Sequence, residues 1–95
     1  MAQARTEISI STSGEREFDV RIRDGGGETR HHVTVPDLIG DAIDPDEHGL
    51  ETVVRESFEF LLEREPASSI LPGFSLTDIS RYFPEYPEEL ARRLG

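Results

Sequence analysis

The chain has 95 residues, a formal net charge of −10, ten Arg, no Lys and no Cys. This excludes disulfides, thiolate metal ligands, thiol nucleophiles and Schiff-base chemistry on lysine. The length suits one domain over residues 1–95 with a single modest core, and without a run of about 18 apolar residues no membrane span is expected.

The first residues, Met1-Ala2-Gln3-Ala4-Arg5-Thr6-Glu7, lack the apolar stretch of a signal peptide, so a cytoplasmic protein is expected. Residues 1–35 hold six acids and five Arg, residues 36–65 ten acids and two Arg, and residues 66–95 four acids and three Arg. The charge therefore concentrates as −1, −8 and −1, mostly on or just before one central segment. Such a field repels phosphate backbones and suits either a basic partner or a high-salt source, the second being the simpler account.

Three segments in the first third alternate with period two, the strand signature. Ile8 and Ile10 share one face, Phe18, Val20 and Ile22 the next, and His31, Val33 and Val35 the third. Asp24-Gly25-Gly26-Gly27 is a hairpin turn in which glycine supplies positive φ. Pairing Arg23 with Glu28 sets Ile22 opposite Thr29, Val20 opposite His31 and Phe18 opposite Val33, all on the apolar side. For the first hairpin, a three-residue loop Ser13-Gly14-Glu15 with Ile10 opposite Phe18 is expected. Pro36-Asp37 then breaks the third strand and leads into a loop.

A long helix is predicted from Asp44 to Glu65. Asp44 is the cap, Pro45 the first helical residue, Glu47 the capping-box acid, and Pro66 the stop. Leu50, Val53, Val54, Phe58, Leu61 and Leu62 recur at helical spacing, and Phe60 widens the apolar arc, so packing on two sides is expected. After Pro66 the sequence reads as short helical pieces. Ile70 and Leu71 precede Pro72-Gly73, Ser75 caps a piece carrying Leu76, Ile79 and Phe83 with Asp78 as box acid, and Pro87 opens a last helix carrying Leu90, Ala91 and Leu94. The expected fold class is α+β: a three-stranded antiparallel β-meander, a long central helix and two or three short C-terminal helices.

The search for chemistry returns no catalytic constellation. His31 and His32 are consecutive in a strand and point to opposite faces, and His48 sits alone near a helix start, so no metal site is expected. Asp41, Asp44, Asp46 and Glu47 do not fit a calcium loop, because Pro45 interrupts them and Gly49 comes too late. The glycine run joins two strands rather than opening a helix, so it is no phosphate cradle. No cofactor and no enzymatic activity are expected.

Residues 75–83 compare poorly with a DNA-reading helix, having Arg81 as sole base in an acidic chain, so nucleic-acid binding through the C-terminal helices ranks last. The one basic cluster is Arg21, Arg23, Arg30 and His32 on the outer sheet face, interleaved with Asp19 and Glu28. A cross-strand ion-pair lattice accounts for it, and a docking face for an acidic group or RNA is the functional alternative.

Phe18-Asp19-Val20, Asp24-Gly25-Gly26 and Val33-Thr34-Val35-Pro36-Asp37-Leu38-Ile39-Gly40, followed by a helix ending in a Phe/Leu cluster, resemble the HicB-like antitoxin fold over residues 18–62. That resemblance implies neutralisation of a small basic RNase toxin, and a further strand with a Gly-Asp-Thr helix start, which this sequence lacks. Ser57-Phe58-Glu59-Phe60-Leu61-Leu62-Glu63-Arg64-Glu65-Pro66 through Ile79-Ser80-Arg81-Tyr82-Phe83-Pro84-Glu85-Tyr86 resembles a group of small uncharacterised bacterial α+β proteins, which implies architecture and no activity. The expectation is a non-enzymatic interaction or regulatory module that binds a protein, or a second copy of itself through a sheet edge, with the antitoxin role as alternative.

Overall fold

Strands β1 (Glu7–Gly14), β2 (Glu17–Asp24) and β3 (Gly27–Thr34) form the expected antiparallel meander. The computed structural model describes residues 6–25, 27–40 and 43–95. Gly26 of the second turn, Asp41 of the acidic loop and residues 1–5 of the N-terminal reading lie outside the described residues. The second hairpin has the predicted register, with Ile22 opposite Thr29, Val20 opposite His31 and Phe18 opposite Val33. Alternation then does the rest: Phe18, Val20, Ile22, His31 and Val33 are buried, while their neighbours face solvent.

The first hairpin differs from expectation by two residues. Ile10 lies opposite Val20 and Thr12 opposite Phe18, with a bulge between Thr12 and Gly14 and a two-residue turn at Glu15-Arg16. The bulge absorbs the odd residue, so β1 keeps Ile8 and Ile10 on the core side despite the shorter turn.

The central helix is two helices rather than one. α1 (Pro45–His48) is a single turn capped by Asp44, whose carboxylate accepts the Asp46 N–H at 3.0 Å. At Gly49 the backbone turns to φ 87°, ψ 123°, and α2 (Leu50–Leu62) begins from there. α2 ends three residues before Glu65, in the turn that Glu63, Arg64 and Glu65 form ahead of Pro66. Two-sided burial holds for α2. Phe58 meets the sheet layer, with ring centroids 5.6 Å from His31 and 5.8 Å from Phe74, while Phe60 packs on Phe83 and Tyr86 at 5.9 and 5.3 Å. Leu50 is only half-buried, because the break at Gly49 puts it in the first turn at the margin of the core.

The expectation of helical pieces alone after Pro66 is corrected by a short fourth strand. A 3-10 turn, Ala67–Ser69, precedes β4 (Gly73–Ser75), which pairs parallel with β3 and sets Phe74 beside Val33. The sheet is therefore four-stranded and mixed, in the order β1-β2-β3-β4, with α2 inside the crossover between the parallel pair. Ser75 and Asp78 make the predicted capping box, here opening a 3-10 turn (Leu76–Asp78) that continues as one α-turn, α3 (Ile79–Tyr82). α4 (Tyr86–Leu94) closes the other side of α2.

Two buried polar contacts fix these layers. Ser57 Oγ donates to the Val53 carbonyl at 2.7 Å, so the hydroxyl of Tyr86, 2.6 Å away, donates to Ser57. His31, beneath the sheet, holds the Leu71 carbonyl with Nδ1 at 2.8 Å and meets Thr29 Oγ1 with Nε2 at 2.9 Å. A carbonyl only accepts, so Nδ1 carries a proton.

Candidate functional site

The four residues singled out on the outer face do share that face, but two separate acidic sets engage them. The register puts Arg21 directly opposite Arg30, and Glu28 draws both together with Arg23. Its carboxylate lies 3.6, 3.6 and 3.4 Å from the Nε atoms of Arg21, Arg23 and Arg30.

His32 belongs to a second set, with Nε2 2.8 Å from Glu17 and Nδ1 3.1 Å from Asp19. A neutral imidazole has one N–H, and these contacts use two, so the ring is held as imidazolium. Asp19 first and Glu17 second accordingly raise its pKa above the ordinary histidine value. Three carboxylates face four cations, which leaves the patch close to neutral. Among the described residues no group of three or more His, Asp or Glu side chains is placed to hold a metal ion.

The sequence missed a groove on the other side of the molecule. It lies where the C-terminal end of α2 meets the 67–75 segment and α3, with a cavity of about 150 Å³. Buried Leu61, Ile70 and Ile79 and half-buried Phe74 and Phe83 line it. Among the described residues three large apolar side chains are exposed, and two of them, Leu71 at 46% and Tyr82 at 66%, flank this groove.

Local structure explains why they stand out. Leu71 is held in extended backbone by Pro72 and by the His31 contact to its carbonyl. In the single turn of α3, Ile79 at the start is buried and Tyr82, the last helical residue, is exposed. The ionisable groups on the groove, apart from Tyr82, are acids. Asp78 is engaged by the Ser75 N–H at 3.0 Å, whereas the side chain of half-buried Glu65 has no hydrogen-bond or ion-pair partner among the described residues. The usable sequence signal was Leu71 ahead of Pro72, together with three ring residues within five positions at Tyr82, Phe83 and Tyr86.

A third feature is the free long edge of the sheet. β1 pairs with β2 alone, and from Ile8 to Gly14 it carries no charged residue and no proline. Arg55 reaches over from α2 and donates to the Ile8 carbonyl at 3.2 Å.

No family model, curated protein or solved structure matches the chain. No helix among the described residues is long and apolar enough to cross a membrane.

Proposed function

We propose that this chain is a small cytoplasmic protein-binding module, without catalytic activity of its own, whose docking site is the groove between α2, β4 and α3. One observation carries the reading: an apolar cavity, flanked by exposed Leu71 and Tyr82, has on its wall the half-buried residue Glu65, whose side chain has no partner among the described residues. A cation brought to this side chain gains an ion pair without displacing one already made. The occupant is therefore a partner segment that places one large apolar side chain in the cavity and an Arg or Lys against Glu65. Such buried anchors carry most of the energy of small interfaces. The surrounding net charge of −10 speeds the approach of a basic segment.

Peptides with a central Leu or Phe flanked by Arg test this by calorimetry or chemical-shift mapping, with Glu-flanked versions as control. The Arg-flanked peptides bind, Glu65→Gln weakens them several-fold, and Tyr82→Ser and Leu71→Ser weaken them further. Equal affinity for Arg- and Glu-flanked peptides, or no binding at millimolar peptide, overturns the proposal.

A second reading, an antitoxin-like protein that masks a small basic RNase, draws support from β4 and the capped turn after it. These give a strand-then-helix step after α2, as the resemblance over residues 18–62 implies. Co-purification with the product of a neighbouring gene for a short basic protein is the expected result on that reading.

A further inference from the structure

The free edge of β1 is built to meet itself. Backbone direction along β2 alternates from the closing pair Asp24–Gly27, so Phe18, Val20 and Ile22 bond toward β3, and Asp19, Arg21 and Arg23 toward β1. The β1 partners of the second set are Ser11, Ser9 and Glu7. This leaves the N–H and C=O groups of Ile8, Ile10 and Thr12 on the open side, and the Arg55 contact to the Ile8 carbonyl agrees with that. Natural edges are blunted by charge, proline or cover. Here 32% of the chain is charged, yet Ile-Ser-Ile-Ser-Thr-Ser-Gly carries no charge and no proline.

We propose that two copies of this chain pair antiparallel along β1, about a two-fold axis through Ile10, to give one continuous eight-stranded sheet. In that register Ile10 faces Ile10 of the second copy and Ile8 faces Thr12 on the core side, while Ser9 faces Ser11 on the outer side. Half-buried Ile8 and Ile10 are covered, and the open main-chain groups are satisfied reciprocally. The Ile8 carbonyl exchanges the Arg55 guanidinium for a main-chain N–H.

A second copy fits better than a charged partner strand, because the pattern is self-complementary and offers no charge to recognise. It also lets two chains of net charge −10 meet along strands that carry no charge from Ile8 to Gly14. The peptide groove lies beside β4 at the opposite edge of the sheet, so the seam leaves it open in both copies.

Sedimentation equilibrium of the full chain, from micromolar to millimolar concentration at about 0.1 M and about 1 M salt, is the test. The expected result is a reversible monomer–dimer equilibrium that tightens with salt, as screening relieves repulsion between the acidic copies. Ser9→Glu with Ser11→Lys sets opposite charges across the seam twice and also faces Arg21 and Asp19 favourably within the chain, so the dimer tightens several-fold at low salt. Ser9→Glu with Ser11→Glu weakens it by a similar factor. Ile10→Pro removes the outward N–H and abolishes pairing; should that variant fail to fold by circular dichroism, the two serine pairs, at exposed positions, decide. Tyr82→Ser leaves the equilibrium unchanged. A single-chain mass under all conditions, or a dimer that ignores both serine pairs, overturns the proposal.

Discussion

Arg16 occupies a two-residue turn yet ties together three parts of the chain. Its Nε donates to the Val35 carbonyl at 2.9 Å and Nη2 to the Pro36 carbonyl at 2.8 Å, while Nη1 meets both carboxylate oxygens of Asp46 at 3.2 Å. The planar fork of guanidinium makes this possible where an ammonium group would serve one site at a time. Charge pattern alone could not reveal it, since two of the partners are carbonyls with no signature in the sequence. His32 shows the opposite case. Period-two alternation already places it on the outer face with Glu17 and Asp19, and the consequence for pH follows. Its folded-state pKa is raised, so the stability it contributes is fully present below the unfolded value near 6.5 and is lost as pH rises through the raised one. Denaturation midpoints followed from pH 6 upward should fall through that window, and His32→Gln should flatten this component of the profile. An unchanged slope in the variant means that the bracket is not maintained in solution.

At the level of elements, legibility tracked how many independent signals agreed. The β2–β3 hairpin had both a glycine turn and matched alternation, and its register is the predicted one. β1–β2 had alternation without a strong turn, and the bulge at Thr12/Gly14 shifted the pairing while preserving the face. β4 is three residues long, too short for any period, and is held by parallel pairing that only the folded crossover provides. The groove was hidden for the same reason: Leu61, Phe74 and Tyr82 come from three elements whose meeting depends on β4. The helix break is a further case, because capping and apolar spacing are continuous across Gly49 and say nothing against one helix. Its φ of 87° with ψ of 123° is open to glycine and strained for other residues. Gly49→Ala should therefore destabilise the fold by about 1–3 kcal/mol in chemical denaturation, even though alanine is the better helix former. A stabilised variant would show that α1 and α2 can merge.

For the whole molecule the dominant quantity is the charge of −10, with most of the excess on residues 36–65. Ion pairs offset part of it: Glu63 takes Arg93 at 2.6 Å, which holds its carboxyl below the usual range, and Arg64 bridges to Glu85 while lying 3.7 Å over the Phe60 ring. Exposed pairs of this kind are worth little individually, and Asp44, Glu47 and Glu65, which make no ion pair among the described residues, keep the balance repulsive. Added salt should accordingly raise the thermal midpoint between about 0.05 and 0.5 M, as screening lowers self-repulsion more than it weakens the pairs; a midpoint that falls with salt would reverse that ranking. The placement of the two tyrosines has one more consequence. The chain has no tryptophan, and of its two tyrosines Tyr86 is sealed against Ser57 while Tyr82 stands at the groove. Ultraviolet emission therefore comes from one ring that an aqueous quencher cannot reach and one that it can. The quenchable fraction becomes an intrinsic optical gauge of groove occupancy, and the protected fraction reports separately on whether α4 stays docked.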